Sequence, residues 1–515
     1  MFGSHDAMSP SDPLTSAVAT DTTLRSAALV PVTEQPSTGE GSSLPPELRI
    51  DDVDRLSALH RRLVAEIQLE RAAPVRRLPA ELLSEIFIYL AESDLRGYRS
   101  AKEGKSYAVQ LIAVTVACVC VSWRAVVLGT PRLWSRITVD EQTRHLDVYV
   151  RTCITRSGQH ELEITCTASR HLPAVLSHIL PHARRWRSIT FCGVLNDYCS
   201  IPQRHCFARL RDADLSIDCL FDGEAGAFDF LADAPLLQQM KITATGSSDD
   251  HPINLPSSWR LTSLHLDLDE IRCVRPLVAT IAQYHATLET FVCEFIYQSP
   301  FFPSEGVITP IQFPVLGSLQ LGFHAVSLLS YLDAPRVTDI ILGGTDNQSG
   351  DPYECLLTFL TLPSSPLTHL RCLRLVQIYH AFDEETSTGL LRCLESMDEL
   401  QELSILCAAD HSFAYGLNEW LDVDMSGALW DGLTVREGNR PILPNMCALE
   451  LHLGTVHLTD QERRDQRIDL AIMLQSRQRA RIIEGRNVVA LERVEVESET
   501  MADLFEFAEA FYTAA

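Results

Sequence analysis

Lysine is almost missing from this 515-residue chain: of 43 basic residues only Lys102, Lys105 and Lys241 are lysine, and the rest are arginine. Codon-composition bias is the plain reading of that shortage. Basic charge as a whole is scarce, with 68 acids setting a net charge of −25. That excludes a nucleic-acid binder working by phosphate neutralisation, which needs a basic footprint. There is no CxxC pair among the 15 cysteines, and Cys118 and Cys120 are the nearest two. Metal-ligand spacing is therefore absent, and an odd count without a secretory signal argues against a disulfide framework. Reduced thiols of the cytosol or nucleus are expected, with Cys293 and Cys372 acting as small buried hydrophobes in strand-like runs. The first residues, MFGSHDAMSP, lack the basic and apolar regions of a signal peptide. The run Ser106–Trp123 has 18 uncharged residues. It reaches only the lower limit for a spanning helix, and Gln110, Thr115 and Ser122 dilute it. No membrane span is expected. Phosphate, hydrolase and zinc-protease motifs (GxGxxG, GxSxG, HExxH) are absent. Gly104-Lys105-Ser106 resembles the end of a phosphate loop, but Arg99 stands where that loop needs glycine.

What is present is unevenly distributed. Residues 1–48 carry net −5, residues 49–140 net +3, and the remaining 375 residues net −23. Half of residues 1–46 are Ser, Thr, Pro or Gly, so this segment reads as a disordered tail. Within residues 47–73, Ile50, Val53, Leu56, Leu59, Leu63 and Ile67 step by three and four, one stripe of an amphipathic helix that Pro74 ends. Residues 74–140 then read as a small helical module. Pro79 suits the first turn of a helix whose apolar face is Leu82, Leu83, Ile86, Phe87 and Leu90. A polar loop is expected from 91 to 106, then one apolar helix over about 107–127, a break at Thr130-Pro131, and a short closing strand in LWSRITV.

The ordered set Leu78-Pro79-x-Glu81-Leu82-Leu83-x-x-Ile86-Phe87, Val119-Cys120-x-x-Trp123-Arg124 and Thr130-Pro131-x-Leu133-Trp134 resembles an F-box. With its leading helix and PVRRLP, the region is similar to a large fungal group of F-box proteins. The loop after Leu90 is longer than the compact motif. The resemblance implies a non-catalytic subunit that binds a Skp-type adaptor, and through it a cullin. Carried over residue by residue, it assigns adaptor contacts to Leu78, Pro79, Leu82, Leu83, Ile86, Phe87, Val119 and Trp123. In a ubiquitin ligase receptor a lysine-poor chain also offers few acceptors for self-modification, a second reading of the lysine shortage.

The body, residues 141–515, repeats the template LxxLxL. Clear copies begin at Leu261, Leu316, Leu370 and Leu400, and weaker ones at Trp186, Leu210, Leu237, Leu288, Val337, Met446 and Leu491. The earlier steps fall in or near the range of leucine-rich repeats, and the last two are wide. The resulting expectation is an α/β chain: a small all-helical F-box module followed by an irregular leucine-rich-repeat solenoid, or horseshoe. The alternative is an ordinary α/β domain with similar strands. Thr459 and Glu462 form a capping box expected to open a helix of about 20 residues. Residues 500–512 read as an acidic capping helix.

Candidate chemistry is thin. His178 and His182 read as a surface pair, with Pro181 between them. Asp267 and Asp269 alternate on a strand and read as solvent-side residues. Asp422 and Asp424 near Trp420 are an acidic loop. The acids from Glu492 to Glu509 read as a solvated face, with a basic partner as the functional reading. No catalytic residue, metal ligand or cofactor is assigned. The polar slot inside each template, His265, Gln320, Arg374 and Ser404, is the candidate target surface, beside its plain reading as solvated strand residues. The expected function is target recognition in an SCF (Skp–cullin–F-box) ubiquitin ligase. The acidic body favours a target with a basic stretch, and neither nucleic acid nor membrane is a partner. Residence is cytoplasmic or nuclear. The alternatives are an F-box scaffold outside ubiquitination and an enzyme with an unrecognised site.

Overall fold

Alternating burial of the template leucines organises the larger part of the molecule. The computed structural model describes residues 55, 57–64, 78–98, 108–194, 197–198, 201, 205–218, 228–245, 254–271, 274–298, 309–344, 351–363, 366–376, 384–406, 427–452 and 460–497. The chain divides into two units, residues 1–77 and 78–515. In the first, residues 57–64 are helical, and Leu59 and Leu63 are both exposed. The tail and the remainder of the predicted stripe lie outside the described residues.

The second unit begins with three helices, α1 (Ala80–Tyr98), α2 (Ala108–Val119) and α3 (Val121–Gly129), and a 3-10 turn at Pro131–Trp134. Two expectations change here. The stretch read as a loop from residue 91 is helical through Tyr98, because it contains no proline and extends a helix that the apolar half has nucleated. The rest of that stretch lies outside the described residues. The single apolar helix is two. Cys120 is extended (φ −160°, ψ 169°), and its Sγ accepts a hydrogen bond from Trp123 N at 3.4 Å, capping α3. This break also divides the uncharged run, and no helix among the described residues is long and apolar enough to cross a membrane.

Among the described residues, thirteen strands then form one sheet, ordered β1-β2-β3-β4-β5-β6-β7-β9-β11-β12-β13-β14-β17, every neighbouring pair parallel. They run β1 (Arg136–Val139), β2 (Leu162–Cys166), β3 (Trp186–Val194), β4 (Asp212–Asp218), β5 (Gln239–Thr245), β6 (Ser263–Ile271), β7 (Thr290–Gln298), β9 (Ser318–Phe323), β11 (Asp339–Gly343), β12 (Cys372–Val376), β13 (Glu402–Leu406), β14 (Ala448–His452) and β17 (Arg493–Glu497). The short strands β8 (Ile311–Gln312) and β10 (Leu332–Asp333) pair with each other, as do β15 (Arg481–Ile483) and β16 (Arg486–Val488). All eleven LxxLxL copies lie on or lead into strands of the large sheet, from β3 to β17. The LWSRITV strand is its first strand and closes nothing, and β2 has no counterpart in the sequence reading.

Period-two alternation places the second template position on one face in a register row, Ile137, Ile164, Ile189, Ala213, Met240, Leu264, Phe291, Leu319, Ile340, Leu373, Leu403, Leu449 and Val494. Connecting helices, including α4 (Leu146–Arg156) and α5 (Leu172–Ile179), cover this face and share its core. Backbone bonds set the stacking. The carbonyls of Arg211, Gln238, Thr262, Glu289, Gly317, Thr338, Arg371, Gln401 and Cys447 each accept the two N–H groups that lead into the next strand, at 2.8–3.2 Å. Because this device uses only main chain, side chains and connection lengths vary without breaking register. The wide step before β17 holds α6 (Asp460–Ser476), 17 residues long. The capping Thr459 lies outside the described residues.

Candidate docking surfaces

The helical module builds a small core and leaves an apolar stripe outside it. Leu83, Phe87, Val116 and Val127 are buried together, flanked by Leu78, Trp123, Leu133 and Trp134. The Phe87 and Trp123 rings meet at 5.0 Å. On the same helix α1, Leu82 is 52% exposed, Ile86 42% and Tyr89 70%. With Leu90 they follow at i, i+4, i+7 and i+8, so they share one face. Val114, Val119 and Val121 are exposed on the next two helices. The assigned adaptor residues therefore divide. Pro79, Leu82, Ile86 and Val119 are exposed, and Leu78 and Trp123 are half-buried. Leu83 and Phe87 are buried, so in this structure they position the stripe instead of forming part of it. Tyr89, Val114 and Val121 were not singled out from sequence, although Tyr89 is one helical turn beyond Ile86.

The module is joined to the sheet through packing. Trp134 touches the cores of both, its Nε1 donates to Val127 O at 2.9 Å, and the Arg156 guanidinium lies 5.2 Å over its ring. A hydroxyl bond of 2.9 Å links Ser84 and Thr130 across the module.

On the open sheet face, the four candidate target residues fall in one register row: Thr138, Thr165, Thr190, Asp214, Lys241, His265, Val292, Gln320, Ile341, Arg374, Ser404, Glu450 and Glu495. Their environments differ. Gln320 Nε2 donates to Glu294 at 3.2 Å. A Cβ at Gly322 would come within 2.8 Å of the Glu294 side chain, so glycine lets that carboxylate lie across β9. Arg374 pairs with Glu402 at 3.5 Å, and Arg493 reaches the same carboxylate at 2.7 Å. Ser404 is a correction. It is fully buried and donates to Glu450 at 2.7 Å, because the neighbouring long side chains close over it. It offers no surface contact. Cys372 is buried as expected, although it lies on this outward side of β12.

From β4 to β7 the outward residues include Asp212, Asp214, Asp218, Asp267, Asp269 and Glu294 against Lys241 alone. Burial pushes the Asp212 and Asp214 carboxyls up, and Lys241 offsets part of that at Asp214. Burial, with Lys241 adding to it, pulls His265 down to about 4. His265 is therefore neutral at neutral pH in the folded chain. A basic group with a lowered folded pKa is protonated more readily unfolded, so its contribution to stability is present above its unfolded pKa and lost as pH falls toward 4. The raised carboxyls act in the opposite sense. His265→Gln is expected to lessen the fall in melting temperature between pH 7 and pH 5. An equal fall in variant and parent would remove His265 from the account.

His178 Nε2 lies 2.9 Å from Asp147 Oδ1, and that hydrogen bond holds the Asp147 carboxyl below its ordinary range. Among the described residues no three His, Cys, Asp or Glu side chains converge on a metal-sized site. The acidic loop at Asp422 and Asp424, the tripeptide Gly104–Ser106 and the acidic C-terminal helix lie outside the described residues.

Residues 75–140 match the F-box-like family. The chain thus carries an F-box-like domain, a non-catalytic class of module that generally mediates binding to Skp-type adaptors. No curated protein matches the chain.

Proposed function

We propose that this chain is a substrate receptor of an SCF-type ubiquitin ligase, acting in the cytoplasm or nucleus. Its F-box-like domain binds a Skp-type adaptor, which links it to a cullin, and its sheet holds the target. The carrying observation is the exposed Leu82–Ile86–Tyr89 stripe on a family-matched domain packed onto a long open sheet. A small module with more apolar surface than its own core uses docks a partner. The adaptor contacts are Leu78, Pro79, Leu82, Ile86, Val119 and Trp123, with Leu83 and Phe87 holding the stripe in place.

We read the sheet as an irregular leucine-rich-repeat solenoid. Consecutive template copies, a continuous leucine register and the repeated carbonyl bridge support that reading. Target contact falls on the open face, where His265 lies within the acidic β4–β7 strip, Gln320 borders it and Arg374 follows two strands further on, and a basic stretch of the target is favoured there through encounter rate. The receptor contributes proximity instead of chemistry. Full-length protein is expected to co-purify with both adaptor and cullin. Capture of adaptor without cullin would replace this reading by a scaffold role outside ubiquitination.

A further inference from the structure

We propose that the groove where α1 overhangs β1–β4 seats an acidic, carboxylate-rich segment of a partner protein. Taking that partner to be the ligase target rests on the receptor reading; the binding chemistry does not. The groove encloses about 980 Å³. Its floor is a hydroxyl ladder, Thr138, Thr165 and Thr190 in one register row with Ser188 beside it. Ile88 and Ala91 of α1 form one wall and the Gln159–Glu161 loop part of another.

The charge of the lining is opposite to that of the body. Arg132, Arg136, Arg187 and Arg209 meet Glu161, Glu163 and Asp214. Four guanidinium groups therefore face three carboxyls, one of which burial has made easier to protonate. Arg136 is held by Glu163 at 2.8 Å. Arg187 and Arg209 share Glu161 at 3.8 Å each, in pairs that are about half exposed. Such loose, water-exposed pairs hold the guanidinium groups at the rim without committing their donors. A partner carboxylate offers them the bidentate geometry that Glu161 does not supply to both.

Shape and field select a short peptide. Strands lie about 4.8 Å apart, so four strands span about 14 Å, the reach of four or five extended residues. At β4 the acidic strip begins, which repels a continuous phosphate backbone. The groove also places its occupant against α1, whose outward stripe is the proposed adaptor face, one helix diameter of about 10 Å away.

The test uses the full chain and fluorescence anisotropy with fluorescein-labelled oligo-glutamate, a matched phosphoserine peptide and oligo-lysine. Arg187→Glu with Arg209→Glu is expected to weaken oligo-glutamate binding about tenfold or more, the loss of a charge-assisted contact. Thr165→Val, which keeps shape and charge, is expected to weaken it as well. Arg440→Glu, on the distant C-terminal part, is expected to change nothing. Tighter phosphoserine binding, lost in the same variants, would support the groove and name a phosphorylated source; equal or weaker binding would support a carboxylate source. Absence of oligo-glutamate binding, an equal effect of Arg440→Glu, oligo-lysine binding that falls with the groove variants, or displacement of the peptide by single-stranded RNA would overturn the proposal. Adaptor capture measured on the same variants separates this result from the receptor reading.

Discussion

Replacing Leu82 and Ile86 together by aspartate is expected to abolish capture of a Skp-type adaptor while leaving the melting profile of the full chain unchanged. Both side chains lie on the exposed face of α1, and neither belongs to the module core of Leu83, Phe87, Val116 and Val127. Their loss therefore removes little that holds the fold. At an interface each aliphatic side chain contributes about 1.5–3 kcal/mol of burial. The new carboxylates add a desolvation cost, so the pair should weaken binding by at least about a hundredfold. Phe87→Ala makes the informative contrast. Its ring is 1% exposed and packs on Trp123, so truncation is expected to cost about 3–5 kcal/mol and to lose adaptor capture through unfolding of the module. Calorimetric titration and thermal melts on the same preparations distinguish the two effects. Full-strength capture by the aspartate pair would sink the adaptor assignment.

The contrast also shows which features were legible in the sequence. Local periodicity carried most of the architecture, because a strand buried on one face must alternate and LxxLxL does so wherever it occurs. The same rule placed His265, Gln320 and Arg374 in one outward row. It gave no information on depth, which depends on neighbours from other strands. Ser404 disappears under Glu450 although its slot is the same. Helical spacing likewise found the apolar face of α1 without separating Leu82 and Ile86, which face outward, from Leu83 and Phe87, which face the core. That division is made by α2 and α3. The groove was invisible for a related reason. Its arginines and threonines come from four stretches of the chain, 132–138, 165, 187–190 and 209, and nothing in the spacing of these stretches announces a common site. Strand pairing aligns the threonines, and the Trp134 junction joins the helical module to that sheet.

Arg477 is the strongest case of a long-range determinant, and its replacement is expected to unlock the C-terminal end of the sheet. It is fully buried at the end of α6. Its guanidinium donates to Leu433 O at 2.9 Å, Leu443 O at 3.0 Å and Ile442 O. These carbonyls belong to the segment that leads into β14, which includes Leu443 at φ +51°. The Arg477 carbonyl also accepts from Leu491 N at 3.0 Å, just before β17. One residue, through its side chain and its carbonyl, thus ties the last two wide repeats together. Burial, with the neighbouring Arg481 adding to it, draws its pKa down to about 10, so it stays charged, and the folded state carries roughly 3 kcal/mol of combined desolvation and repulsion on the scale of about 1.4 kcal/mol per unit. Arg477→Met returns that cost but leaves two buried acceptors and a part-buried one unpaired, at about 1–3 kcal/mol each. The acceptors outweigh the relief, for a net loss of about 3 kcal/mol. Arg477→Ala adds a cavity of its own, about 2 kcal/mol more. Arg477→Lys, with one donor head in place of a planar fork, should fall between the parent and Met. Because opening is local, hydrogen exchange is the proper readout, with protection lost across residues 427–497 and retained from β3 to β7. Parent-level protection in Arg477→Met would mean that the three carbonyls find other partners and that the guanidinium does not hold this end closed.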